Sequence, residues 1–186
     1  MPDPIVLVHE DTATWDEQRR VLTAAGHPVV SFADFLRKPS LTGCVLVAAG
    51  AGTGPAVRHL SAGRSGRVRK AVLIGVVPPF LPRTEDNPDG LDDTALAHAC
   101  AQLAGDPALA DQVVRTDYRA DLPRIAVPVL VLHGDADTVL PIDATAHRLP
   151  GLIPDLRYEV IPDGPHDLGR THPSVVNRYL LDWVAS

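Results

Sequence analysis

Six short runs of mainly apolar residues recur along the chain, and their spacing restricts the fold more than any other feature. They occupy 5–8, 29–32, 44–49, 71–77, 128–132 and 156–161. Runs of this length without polar alternation are typical of strands buried on both faces, as in a parallel sheet covered by helices. The pattern therefore predicts an α/β fold with three layers and a mostly parallel sheet of about six strands.

Helical stretches separate most of these strands. Trp15, Val21 and Leu22 recur at helical spacing, and Gly26 with Pro28 ends that helix. Further helices are predicted at 55–61, 94–104, 107–114 and 174–185, the last with Ser174 as its N-cap. A chain of 186 residues can bury one core and is short for two, so we predict a single domain over 1–186.

Charge and composition exclude several partner classes. Asp and Glu outnumber Lys and Arg by 23 to 17, which argues against a nucleic-acid partner. No apolar run reaches the roughly 18–20 residues that span a bilayer, so no membrane partner is expected. The two cysteines and eight histidines show no metal-ligand spacing, and we predict no metal and no cofactor. A reducing cytoplasm is the expected location.

In parallel sheets, binding and catalytic residues lie at the carboxyl ends of the strands. Here those ends carry polar and glycine-rich segments, namely 9–11, 50–52, 78–80, 133–137 and 163–166. We therefore expect the functional site at this edge of the sheet.

Several of these segments resemble one family. Residues 118–143, which contain HGDADTVLP, resemble the penultimate-strand motif of α/β-hydrolases, and specifically that of the cofactor-free haloperoxidases, also called perhydrolases. AVLIGVVPPF at 71–80, NPDG at 87–90 and IPDGPH at 161–166 are similar to the same group and follow in family order. The resemblance covers most of 68–186 and implies an α/β-hydrolase-like core.

In that family a Ser–His–Asp triad performs acyl transfer. The matching motifs imply that Asp137 is the acid and His166 the base. The alternative interpretations are a carboxylate that caps its own loop and an exposed loop histidine.

The nucleophile departs from the family pattern. The family elbow is G-x-S-x-G, whereas this chain has AAGAGTG at 48–54, with Gly50 at the serine position. Glycine has no hydroxyl, so conventional serine hydrolysis fails at its first step. Thr53 lies three residues later and is expected to point elsewhere.

The segment after the first strand also differs. The family has His-Gly followed by an apolar residue, and this chain has His9-Glu10-Asp11. Either Glu10 and Asp11 face solvent or cap the next helix, or Glu10 lines the pocket and faces His166 as a proton-transfer partner. The expected pocket is otherwise lined by His9, Asp11, Gly50, Ala51, Pro79 and Phe80, and its proline and phenylalanine favour a small apolar molecule.

Compared with the family, whole elements are expected to be missing. The N-terminal hairpin is predicted to be absent, the lid is reduced to about 91–114, and only eleven residues separate Phe32 from Cys44, where the family has a long loop and a helix. Such losses would leave apolar patches that favour a homo-oligomer or a protein partner.

Three functions remain open on the sequence alone. The favoured one is a repurposed enzyme, a lyase, cyclase, isomerase or non-covalent hydrolase in bacterial secondary metabolism, in which His166 and Asp137 perform acid–base chemistry. The second is a non-catalytic protein that binds a ligand or a partner. The third is a serine hydrolase or perhydrolase whose serine was replaced by engineering, which the altered Glu10 segment argues against.

Overall fold

A computed structural model describes residues 2–8, 15–63, 65–76, 78–103 and 107–186. The strands found there are β1 (Ile5–Val8), β2 (Val29–Ser31), β3 (Cys44–Ala49), β4 (Val68–Ile74), β5 (Val129–Gly134) and β6 (Leu156–Ile161). They form one sheet in the order β2-β1-β3-β4-β5-β6, and every neighbouring pair is parallel. The predicted six-stranded parallel sheet is confirmed.

Helices cover both faces of this sheet. They are α1 (Asp16–Ala24), α2 (Phe32–Arg37), α3 (Thr53–Ser61), α4 (Asp93–Gln102), α5 (Pro107–Arg115), α6 (Leu168–Thr171) and α7 (Pro173–Ala185). One apolar cluster joins the sheet to Phe35 of α2 and Leu60 of α3. A second joins the opposite face to Leu22 of α1 and Leu180 of α7. The result is the three-layer α/β architecture that the sequence predicts.

Helix α2 corrects the sequence prediction at two points. Phe32 was predicted to end a strand, but it begins α2, because the Ser31 hydroxyl accepts a hydrogen bond from the Asp34 N–H at 3.1 Å and caps the helix. The short connection before Cys44, where no helix was expected, therefore carries this six-residue helix.

Several boundaries also differ from prediction; β5, for example, runs to Gly134 instead of ending at 132. Strand β4 covers Val68–Ile74 instead of 71–77, so it begins and ends three residues earlier than predicted. Ser174 is not the N-cap of the last helix: α7 begins at Pro173, which suits the first helical turn because it needs no N–H there.

The segment predicted as a reduced lid forms a helical pair. Helices α4 and α5 share a third apolar cluster, which includes Leu96, Val114 and Leu140. The cluster attaches the pair to the loop that follows β5.

The side-chain amide of Asn87 organises the segment before α4. Asn87 is buried and donates hydrogen bonds to the carbonyls of Phe80 and Pro82.

Across the described ranges, no group of three or more His, Cys, Asp or Glu could hold a metal ion. No helix in those ranges is long and apolar enough to cross a membrane.

Candidate active site

Two residues that lie 29 positions apart meet at the carboxyl edge of the sheet. His166 Nδ1 lies 2.9 Å from Asp137 Oδ2. The other carboxylate oxygen, Oδ1, accepts hydrogen bonds from the N–H groups of Val139 (2.9 Å) and Leu140 (2.8 Å). The Asp137 side chain is fully buried, whereas 18% of the His166 side chain is exposed. The carboxylate is therefore fixed inside the protein and the imidazole remains accessible from outside.

The charge state of Asp137 follows from opposing effects. Burial alone would raise the pKa of this carboxyl, but the hydrogen bond and the charge of His166, together with the Leu140 N–H, outweigh it and leave the pKa below its ordinary value. An ionised Asp137 accepts a hydrogen bond from the Nδ1–H of His166. The Nε2 lone pair is then available to take a proton, which is the arrangement of a general base.

Gly50 lies beside that nitrogen. Its φ is +49°, and a Cβ built on it would lie 3.3 Å from His166 Nε2. Gly75 approaches the ring from another direction, since a Cβ there would lie 3.4 Å from His166 Cε1. The imidazole is thus enclosed between two glycines at the ends of β3 and β4. A hydroxyl on residue 50 would be within hydrogen-bond reach of Nε2.

Thr53 does not supply the missing hydroxyl. Its side chain is completely buried, and its Oγ1 donates to the Gly50 carbonyl at 2.7 Å. The hydroxyl is therefore engaged with the backbone of the turn.

His133, which was not among the predicted site residues, belongs to the same hydrogen-bond network. Its Nε2 lies 2.9 Å from the Leu140 carbonyl and 3.4 Å from Asp137 Oδ2. Its Nδ1 accepts from the Val76 N–H at 3.3 Å. Burial lowers its pKa below the ordinary histidine value although the Asp137 charge opposes this. A neutral His133 therefore links the end of β4 to the loop that carries Asp137.

Three further residues predicted to line the pocket, Ala51, Pro79 and Phe80, lie in the described part of the chain. Ala51 is buried in the turn after β3, and the Pro79 carbonyl accepts a hydrogen bond from the Tyr118 N–H at 2.7 Å. The ring of Phe80 is half-buried, with the Arg119 guanidinium 4.7 Å from its centroid.

The predicted residues His9, Glu10 and Asp11 lie outside the described part of the chain.

The relatives of this chain among known proteins include non-heme chloroperoxidases. No protein-family model matches the chain. It is 32% identical to a non-heme chloroperoxidase of Synechocystis sp., over 97% of this chain and 91% of that protein. It is 30% identical to a non-heme chloroperoxidase of Streptomyces lividans, over 78% and 68% of the respective chains. The alignment with the Synechocystis protein spans 250 residues, so that protein has internal segments with no counterpart among these 186 residues.

Solved structures show the same architecture. The bromoperoxidase of Bacillus anthracis superposes with a TM-score of 0.85 at 24% identity, over all of this chain and 93% of that one. At this level of identity the superposition shows the fold alone.

Proposed function

Because the chain belongs to the non-heme haloperoxidase family of the α/β-hydrolase fold, we propose that it is an acid–base enzyme that works without a covalent serine intermediate. His166, oriented by Asp137, takes a proton from a small apolar molecule and later returns one. The observation that supports this most directly is the 2.9 Å hydrogen bond between the two side chains, which leaves Nε2 facing Gly50. Proton transfer requires only a positioned base of suitable pKa.

Covalent acyl transfer has no nucleophile in the described part of the site. Gly50 stands at the serine position, and the Thr53 hydroxyl donates to the Gly50 carbonyl. The chemistry that remains for His166 begins with removal of a proton from carbon or from oxygen. Elimination, isomerisation, cyclisation and direct activation of water all belong to this class.

The described part of the chain also has a cleft, which neither His166 nor Asp137 lines. It measures about 600 Å³ and lies beside the loop that carries Asp137, between Thr138–Pro141 and the start of α4. Its lining combines the apolar residues Leu91, Val139 and Pro141 with the polar side chains of Asp92, Thr94, His98 and Thr138. Clefts of this size hold ligands of a few hundred daltons.

A probe that needs only a base tests the proposal. The ring of 5-nitro-1,2-benzisoxazole opens when one carbon-bound proton is removed, and the product is coloured. We expect His166→Ala to lower the protein-dependent rate by about tenfold or more. His172→Ala, six residues further on, serves as the matched control and should retain the rate. Equal rates in wild type and His166→Ala would favour the non-catalytic alternative.

A further inference from the structure

Strand β6 forms one edge of the sheet, and in the described part of the chain no strand lies on its outer side. It has six residues, whereas β2 at the opposite edge has three. It pairs with β5 without a register shift over its whole length. A regular edge strand of this kind carries unpaired N–H and C=O groups that are able to bind another strand. The outer edge of β6 is therefore a candidate protein-binding surface.

The backbone groups of β6 alternate between its two sides. The carbonyls of Asp155 and Ile161 accept hydrogen bonds from the β5 side, at 2.9 and 3.3 Å. Because a parallel ladder uses every second residue of a strand, the odd-numbered residues of β6 face β5. The even-numbered residues Leu156, Tyr158 and Val160 therefore direct their N–H and C=O groups outward. In the described ranges, no hydrogen bond outside the ladder uses these groups.

The two faces of β6 differ in chemistry. On one face the side chains of Arg157 and Glu159 form an ion pair at 2.9 Å, and both remain partly exposed. On the other face lie Leu156, Tyr158 and Val160, and 39% of Val160 is exposed. A strand that pairs with this edge must therefore offer opposite charges in the reverse order on one face and apolar side chains on the other.

We propose that β6 pairs in antiparallel orientation with β6 of a second copy of this chain, about a two-fold axis at Tyr158. In this arrangement Tyr158 lies opposite its own copy, and Leu156 lies opposite Val160 of the partner subunit. Each of these pairs exchanges two hydrogen bonds between outward-facing groups. Arg157 then lies opposite Glu159 of the partner subunit, where antiparallel side chains approach most closely. The inference does not depend on the proposed function.

The charges select this register. An axis at Arg157 would place that side chain opposite its own copy, and an axis at Glu159 would do the same for the carboxylate. Like charges directly opposite each other are destabilising, so both neighbouring registers are disfavoured. Pro154 and Pro162, which have no N–H, stand four residues on either side of Tyr158. Both ends of the proposed ladder therefore stop at equivalent positions.

The size of the contact sets its strength. A six-residue strand is a short contact beside interfaces of standard size, which bury roughly 800 Å² per partner. We therefore expect a reversible dimer, with a dissociation constant in the micromolar range. Sedimentation velocity of the full chain over a series of concentrations measures that constant.

Charge reversal tests the register. Arg157→Glu places carboxylates opposite each other, and Glu159→Arg does the same with guanidinium groups. Each variant alone should raise the dissociation constant of the dimer by about tenfold or more. In an equimolar mixture of the two variants every reversed charge faces an opposite charge, so a heterodimer should form with about wild-type affinity. Each variant keeps like charges within its own strand, so this recovery can come only from pairing between chains.

A control variant reverses a charge elsewhere. Arg20 and Glu17 form an exposed ion pair at 2.6 Å on α1, which packs against the opposite edge strand β2. Arg20→Glu should leave the dissociation constant of the dimer unchanged.

A backbone variant tests the hydrogen bonds. Val160→Pro removes an outward N–H and leaves the ladder with β5 intact, so it should fold and raise the dissociation constant by about tenfold or more. Val160→Thr keeps the N–H and the β-branched shape, and it should remain a dimer. Thermal unfolding of both variants verifies that they fold.

Three results would overturn the proposal. The first is a wild-type chain that sediments as a monomer at every concentration up to its solubility limit. The second is an oligomer that the charge reversals or Val160→Pro leave intact, because its interface would lie elsewhere. The third is a mixture of the two charge variants that stays monomeric, because β6 would then not pair with its own copy in this register.

Discussion

Asp137 receives hydrogen bonds from a side chain and from two backbone N–H groups, and this determines the orientation of His166. The Leu140 residue that donates to Asp137 also accepts from His133, so three side chains and one loop are mutually fixed. Gly50, which stands at the serine position of the family motif, has no side chain to complete this arrangement. Two substitutions test the arrangement at the scale of single residues.

Gly50→Ser should restore a reactive serine but little esterase activity. The new Cβ would lie about 3.3 Å from His166 Nε2, which allows the hydroxyl to donate to that nitrogen. A fluorophosphonate probe should therefore label the variant at residue 50 and leave wild type unlabelled. Turnover of p-nitrophenyl acetate should stay about 10²-fold or more below that of an intact serine esterase, because this chain has Glu10 where the family has the glycine of His-Gly, and a carboxylate lining the pocket would repel the developing oxyanion. Turnover equal to that of an intact esterase would contradict the prediction for Glu10.

His133→Leu should destabilise the protein by about 1–3 kcal/mol. The substitution leaves the buried Val76 N–H and Leu140 carbonyl without their imidazole partners, and burial prevents water from replacing it. Urea unfolding measures the change in free energy. His172→Leu, at a half-buried position, is the comparison and should change stability by no more than about 0.5 kcal/mol. An equal effect of both substitutions would show that His133 has no special role.

At the scale of elements, the strands were predicted well and the short helix was not. The strands follow from continuous apolar runs, whose burial on both faces the structure reproduces in β1, β3 and β5. Helix α2 has only six residues, too few for a periodic pattern, and depends on contacts made by a distant side chain. The side chain of Arg67 donates hydrogen bonds to the carbonyls of Phe35, Lys38 and Leu41, which lie at and just after the C-terminal end of α2.

Arg67→Lys should therefore loosen α2. Lysine keeps the charge but cannot reach three carbonyls with a planar fork, and it loses the stacking of the guanidinium 4.0 Å from the Phe35 ring centroid. We expect a loss of about 1–2 kcal/mol in the free energy of unfolding. Arg124→Lys, at an exposed position, should leave that free energy unchanged. Hydrogen exchange at 32–37 should accelerate in the first variant alone, and unchanged exchange there would count against the contact.

The whole molecule shows why the site was only partly predictable. Asp137 and His166 were found through motifs that resemble a known family, and the structure joins them by a hydrogen bond across 29 residues. His133 opens the segment 133–137 but was not predicted as a site residue, because its partners are mainly backbone atoms of other segments, which the sequence does not reveal. The lid-like pair α4 and α5 was visible as two helices, but its attachment through Leu140 was not.

Stability should fall in acid in two stages. The folded pKa of His133 lies below its ordinary value of 6.5, and that of Asp137 lies below 3.8. In both cases the unfolded chain binds the proton more readily, so each contribution is complete above the ordinary pKa and is lost as the pH falls below it. The first loss should begin near pH 6.5 and the second near pH 4. Urea unfolding measures the free energy of unfolding across this pH range. Below pH 6.5, this free energy should fall less steeply with decreasing pH in His133→Gln than in wild type. An equal fall in both proteins would contradict the assignment to His133.

The most direct test of the account is a double-mutant cycle on the Asp137–His166 pair, measured as the rate of benzisoxazole opening. If the pair acts as one unit, Asp137→Asn and His166→Ala each remove most of the protein-dependent rate, and the double variant loses little more. Additive losses, or a full rate in His166→Ala, would contradict the claim that an Asp137-oriented His166 is the base of this protein.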